Sequence, residues 1–228
     1  MKGIQYFFLT GRLAIITSII ALLASCGFSK SFISSAPEIG ESIGGPQKVM
    51  RYPEFAITFD PRNDVQLGQV DYVVLIPYRA SSGETQHNKA KPGKFRMGIS
   101  LFPYQKGLTL DLSQVTLEID GKHYTTTSVF PYPYAHYPTE QAKRFSDKIH
   151  GCPESQSRVF QGSLPEQPVV LEANGLWNCY ELEFSVDTPS PRKHFRTGLS
   201  IYNEKNQLVR TITIPFSPLE WGHSDSFP

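Results

Sequence analysis

The sequence predicts an all-β protein, an antiparallel β-sandwich of Ig-like type, and three observations carry that prediction. Short runs rich in β-branched and aromatic residues recur from Glu54 onward between turn-forming clusters. Several alternate with period two, so that Phe95, Met97, Ile99 and Leu101 share one face, as do Tyr180, Leu182, Phe184 and Val186. No helical segment recurs between the runs, which argues against a parallel sheet. A hydrophobic fraction of 39% and an aromatic fraction of 12% supply a core, and 19% charged residues is not the composition of a disordered polyelectrolyte. With 22 basic and 21 acidic residues the chain has no broad electrostatic footprint for nucleic acid.

The first segment is an address rather than a fold. Lys2 and Arg12 flank an apolar opening, and the run from Leu13 to Ala24 reads as the core of a secretory signal peptide. It makes a poor membrane span, because spanning takes about 20 mostly apolar residues and no basic stop-transfer flank follows. The run ends in Leu23-Ala24-Ser25-Cys26, with Gly27 next. These residues resemble the lipobox of bacterial lipoproteins, a resemblance confined to residues 1–27. It implies cleavage after residue 25, and a diacylglycerol thioether and N-acyl chain (palmitate or a similar acid) on Cys26. It also implies a membrane partner reached through lipid. Gly27 in place of the Asp that favours inner-membrane retention implies, in a Gram-negative host, the outer membrane facing the periplasm. Removing 25 of 228 residues, two of them basic, leaves 203 with a formal charge of −1.

Residues 26–52 are rich in Ser, Gly and Pro and predict a flexible tether after the lipidated cysteine. A coil of that length would reach about 28 Å. Residues 53–217 then hold the sandwich, with strands expected at Phe55–Phe59, Val70–Tyr78, Phe95–Tyr104, Leu108–Ile119, His123–Phe130, Val169–Leu171, Leu176–Val186, Phe195–Tyr202 and Leu208–Phe216. Asp120-Gly121 and the segment Asn203 to Asn206 supply turns. One short helix is expected near 140–149, where Ala142, Phe145 and Ile149 fall on one face, Thr139 can cap the start and Gly151 the end. Residues 218–228 read as a polar tail.

Phe95-Arg-Met-Gly-Ile-Ser-Leu-Phe102 is echoed one hundred residues later by Phe195-Arg-Thr-Gly-Leu-Ser-Ile-Tyr202. The echo is read either as an internal duplication, with halves 53–130 and 158–217, or as two core strands converging on one pattern. Eight residues do not decide between them.

With Cys26 assigned to lipid, Cys152 and Cys179 remain as an even pair in an exported chain, and a disulfide is expected. Closing that loop is worth about 3.6 kcal/mol by chain entropy. Alternation sets Cys179 on the face opposite Tyr180, Leu182, Phe184 and Val186, which places the bridge either on the outer face of the sheet or at a bulge.

The most unusual segment is Phe130-Pro-Tyr-Pro-Tyr-Ala-His-Tyr-Pro138. Its prolines favour an extended, unpaired backbone, which leaves Tyr132, Tyr134, His136 and Tyr137 as contacts for an envelope protein or glycan. Packing of these rings over the core is the competing reading. The six histidines show no metal-ligand spacing, and neither a metal nor a cofactor is expected. No Gly-x-Ser-x-Gly elbow or Ser-x-x-Lys motif is present, and Gly222-His-Ser-Asp-Ser226 falls in the expected tail. Glu181 and Glu183 share one strand face and read as solvated, as do the loop lysines Lys89, Lys91 and Lys94. These features lead to a membrane-anchored envelope lipoprotein with a non-enzymatic recognition or scaffolding role. The alternatives are an enzyme acting on envelope glycan or peptide without a local motif, and an assembly or chaperone subunit with an open edge strand.

Overall fold

The computed structural model of the chain describes residues 26–73, 76–86, 92–131 and 160–227. They form β1 (Cys26–Pro37), β2 (Glu41–Gly44), β3 (Gln47–Arg51), β4 (Phe55–Asp60), β5 (Val65–Val73), β6 (Ile76–Gln86), β7 (Phe95–Pro103), β8 (Leu108–Leu110), β9 (Thr116–Ile119), β10 (Lys122–Pro131), β11 (Val169–Val170), β12 (Asn178–Phe184), β13 (Phe195–Asn203) and β14 (Leu208–Phe227). The residues cluster into two units. The larger comprises 33–65 and 86–219; the smaller takes in 66–85 and 220–228 together with the segment ending at Phe32.

In the larger unit the strands follow the order β2-β3-β4-β7-β12-β10-β9-β13-β14-β1, with β8 also on β13 and β11 on β8. All registered pairs are antiparallel. The turning point is β10. Its first half, Lys122 to Thr125, pairs with β9, and from Thr126 onward it pairs with β12, with a register shift between Thr126 and Ser128. An irregularity of this kind bends a strand and sharpens its twist. The sheet therefore curls, and its arm β4-β7-β12 faces its arm β9-β13-β14. Phe59 meets Phe216 edge to face at 5.8 Å, and Phe195 stacks on Phe216 at 4.6 Å. The fold is thus all-β and antiparallel, but its two layers are one curled sheet, because β10 passes from one to the other.

The alternation read in the sequence is the alternation seen. Phe95, Met97, Ile99 and Leu101 are fully buried, and Tyr180, Leu182 and Phe184 line the same core. The two echo strands face each other across it. Phe95 contacts Phe195 edge to face at 6.2 Å, and the Thr197 hydroxyl lies 3.7 Å from the Met97 sulfur.

In the smaller unit the order is β14-β1-β5-β6. Phe32 stacks on Trp221 at 4.6 Å, and the Ser224 hydroxyl lies 3.4 Å from that of Ser29. Gly68 sits between β1 and β6, where an added Cβ would stand 3.1 Å from the Ser81 carbonyl and 3.6 Å from the Ser31 hydroxyl.

Several expectations need correction. The tether over 26–52 is instead β1, β2 and β3, with Phe32, Ile33, Ala36, Val49 and Met50 buried. Its serines are no sign of flexibility, since the buried Ser35 amide donates to Asn63 Oδ1 at 3.1 Å and Asn63 Nδ2 donates back to the Ser35 hydroxyl at 2.8 Å. The polar tail over 218–228 is largely the end of β14, where each polar residue still contributes backbone groups to a ladder. The single strand expected at Val70–Tyr78 is divided between β5 and β6. The run Leu108–Ile119 is interrupted by a 3-10 turn, Leu112–Gln114, because Asp111 accepts the Ser113 amide at 3.0 Å and caps it. That turn is the one helical element among the described residues, and the helix expected near 140–149 lies outside them.

Candidate functional site

The outer face of the arm β4-β7-β12 collects charge by register. Asp60 pairs with Gly98, Gly98 with Glu181, and Glu181 with Phe130 on β10. One level on, Arg96 stands opposite Glu183 and Glu183 opposite Ser128. Because Gly98 has no side chain, nothing of β7 stands between Asp60 and Glu181. The Arg62 guanidinium spans that level, with its Nε 3.3 Å from Asp60 Oδ2 and its Nη1 donating to Glu181. Arg62 reaches back over the strand end because its own backbone is left-handed, with φ of 49°, and its amide donates to Asp60 Oδ1 at 3.3 Å.

Arg96 completes the cluster. Its Nε donates to Glu183 Oε2 at 2.8 Å, its Nη1 lies 3.4 Å from Glu181 Oε2, and its guanidinium carbon sits 3.7 Å over the Phe130 ring. Lys94 adds a contact to Glu183 Oε1 at 3.3 Å. Three acids thus meet three bases. Glu181 and Glu183 are only 5% and 4% exposed, so the solvated face expected for them is instead buried, and the cations are what make that burial tolerable. Burial pushes the Glu181 carboxyl above the usual range, while Arg62 and Arg96 pull it back. A carboxylate held by two guanidinium groups is braced in place, and its lone pairs are committed to those donors.

Toward its other end the same face turns apolar. Val49, Thr58, Ser100 and Cys179 stand level, and Val49 and Cys179 join Ala56 and Trp177 in a second buried cluster against Ile43 and Phe102. Phe102 lies 5.7 Å from both Tyr104 and Trp177, and Arg51 Nη1 donates to the Tyr104 hydroxyl at 3.2 Å. Tyr104 and the neighbouring Leu176 are exposed.

Of the residues singled out from sequence, Cys26 is the first residue of β1. Cys179 lies on the outer face as alternation required, buried beside Trp177, and its sulfur is not a free thiol. Cys152, Tyr132, Tyr134, His136 and Tyr137 lie outside the described residues. Among the described residues no group of His, Cys, Asp and Glu could hold a metal ion. Gly222 to Ser226 lie within β14 rather than in a tail.

Sequence reasoning passed over Asp60, Arg62 and Arg96. The available signal was the repeated Phe-Arg-x-Gly pattern, which puts an arginine on the outward face next to a glycine, together with two acids at i, i+2 on another strand. The pairing of β7 with β12, which turns those two patterns into one cluster, has no local signature. No family model matches the chain, and neither the curated proteins nor the solved structures contain a match.

Proposed function

We propose that the protein is an exported lipoprotein, anchored through lipid on Cys26 at the periplasmic face of an outer membrane, with a recognition or scaffolding role rather than a catalytic one. The observation that carries the reading is Leu23-Ala24-Ser25-Cys26 at the end of an apolar run that starts from a basic residue. Because β1 begins at Cys26, a lipid there would be attached to a strand with no spacer, which ties the smaller unit closely to the membrane. The ionic cluster fits a scaffolding role, since its buried carboxylates are matched by cations that brace the strands together. Tyr132, Tyr134, His136 and Tyr137 remain the proposed partner contacts, and a Cys152–Cys179 bridge the proposed crosslink. The facing of β7 and β13 across the core supports a duplicated origin for the two arms.

The test is metabolic labelling with radioactive palmitate in the producing cell. Label should enter the protein and be lost in Cys26→Ala; label that survives the substitution overturns the anchor. An assembly role is a second reading with one observation in its favour. β6 ends the strand order, with β5 its one neighbour among the described residues, and an unpaired edge accepts a strand from a client.

A further inference from the structure

Between β11 and β12 the chain runs through Glu172-Ala-Asn-Gly-Leu-Trp-Asn178, which holds the single Asn-Gly pair of the sequence. The loop is built around its own side chains. At its base the Glu172 amide donates to Asn178 Oδ1 at 2.9 Å, and Asn178 Nδ2 donates to the Glu172 carbonyl at 3.2 Å. At its tip the Leu176 amide donates to Asn174 Oδ1 at 3.0 Å, and Asn174 Nδ2 donates to Glu172 Oε2 at 3.0 Å. Asn174, Gly175 and Leu176 are all exposed.

An asparagine side chain is open to attack by the backbone nitrogen of the residue that follows it, and three features of this tip favour that attack. The bond from Leu176 folds the Asn174 side chain over the intervening peptide, which turns Cγ toward the Gly175 nitrogen. The same bond sets a backbone donor on Oδ1, the atom that takes up negative charge when Cγ becomes tetrahedral. Gly175 has φ of 83°, and a Cβ built on it would meet no atom within 4 Å, so the attacking residue adds no bulk and its surroundings are open to water. Asn203 is the internal comparison. It makes the same turn, with the Lys205 amide donating to Oδ1 at 3.0 Å, but the nitrogen beside it belongs to Glu204, whose charged side chain hinders the approach.

We propose that Asn174-Gly175 is a site of spontaneous self-modification, through which the protein acquires a carboxylate it is not synthesised with. The Gly175 amide gives its proton to hydroxide, and its nitrogen forms a bond to Asn174 Cγ. The Cγ–Nδ2 bond breaks, and Nδ2 leaves as ammonia with a proton taken from water, which regenerates the hydroxide. One water molecule then opens the succinimide. Cleavage at Cγ gives aspartate, and cleavage at the Asn174 carbonyl carbon gives isoaspartate, whose backbone runs through Cγ. Either product sets a carboxylate where Asn174 Nδ2 had donated to Glu172, so a hydrogen bond is replaced by like charges. The base of the loop keeps its two bonds through Asn178, and the change is confined to the tip beside Leu176. Conversion runs one way, and the converted fraction records the age of the molecule. This chemistry is independent of the lipid anchor and of the proposed partner contacts.

The experiment incubates freshly purified full-length protein in mildly alkaline buffer made with water enriched in heavy oxygen, beside a sample unfolded in guanidinium chloride. After reduction, trypsin yields residues 159–192, which carry Asn174 and Asn178, and residues 197–205, which carry Asn203. Fragment masses place the heavy oxygen, and isoaspartyl methyltransferase reports the rearranged backbone. The expected result is incorporation at Asn174 about tenfold faster than at Asn203, and no slower in the native than in the unfolded protein. Gly175→Ala should slow it about tenfold. Where that substitution disturbs the loop, the native and unfolded wild-type rates decide the matter by themselves. A native rate well below the unfolded one means that the hydrogen bonds protect Asn174, and overturns the proposal. Equal rates at Asn174 and Asn203 overturn it too. Heavy oxygen at Asn174 without isoaspartate means direct hydrolysis of the side-chain amide, and removes the ring closure.

Discussion

Replacing Arg96 by Gln and, separately, Arg196 by Gln compares two residues at matching places in an echoed sequence whose surroundings differ. Arg96 donates to the buried Glu183 and covers Phe130, whereas Arg196 is exposed opposite Glu118 on β9. A hydrogen bond to a charged partner contributes about 1.5–3 kcal/mol. A guanidinium over an aromatic ring adds about 0.5–2 kcal/mol. Arg96 is one-third exposed, so solvent screening moves both figures toward their lower ends. Lys94 stays on Glu183 and Arg62 on Glu181, which keeps the loss below the roughly 3–5 kcal/mol of a fully stripped buried pair. The expected cost of Arg96→Gln is about 2–3 kcal/mol, or about 4–12 °C in Tm for a domain of this size. Arg196→Gln should stay within about 0.5 kcal/mol, as surface substitutions do. Urea titration followed by far-ultraviolet circular dichroism, with m-values compared, reads both. Equal costs for the two variants, or a more stable Arg96→Gln, would refute the idea that the ionic cluster braces β7 to β12. Arg96→Lys should recover less than half of the loss, because an ammonium cannot cover Phe130 or fork between two carboxylates.

Three further outcomes follow from the packing and the charges. In a double-mutant cycle, Phe95→Leu and Phe195→Leu should show a coupling of about 0.5–1.5 kcal/mol in denaturant titrations, and strictly additive costs would mean that the echo strands do not meet. Gly198→Ala should cost about 1–3 kcal/mol, since the new methyl group would stand 2.7 Å from the Thr116 hydroxyl, and Thr116→Ala should restore most of it. The Arg210 guanidinium, bonded to both Glu54 oxygens at 2.9 Å, holds the Glu54 carboxyl below its ordinary range. The folded state therefore binds that proton less readily than the unfolded one. Its stabilisation is present above the ordinary Glu value of 4.5 and is lost as pH falls through the lowered folded value. The Tm gap between wild type and Glu54→Gln should accordingly shrink between about pH 6 and about pH 3, and a constant gap would count against the pairing.

Where hydropathy alternates cleanly, the strands were legible. β7 and β12 have their core faces where the sequence puts them, because period-two burial needs no knowledge of the partner. β1 was not legible for a specific reason. Ser34 and Ser35 are buried at 1% and 0%, stabilised by Asn63 and Asp64 almost thirty residues away, and a hydropathy pattern counts such serines as solvent-loving. Glu181 failed in the same way. Its counter-charges, Arg62 and Arg96, lie 119 and 85 residues distant, so nothing beside it in the chain foretells its burial. Polar interiors of this kind are encoded by pairs that only the register brings together.

The neighbourhood of β1 and β14 has a kinetic consequence. Ser29 and Ser224 are separated by 195 positions, so the ladder between those strands is among the costliest loops the polypeptide has to close. A chain delivered amino end first would have β5 available early, but the flank of β1 that meets β14 would stay unsatisfied until almost all of it had emerged. One side of its earliest strand would be the last to lock, and throughout that interval that side would be open to mispairing with whatever edge lay nearest.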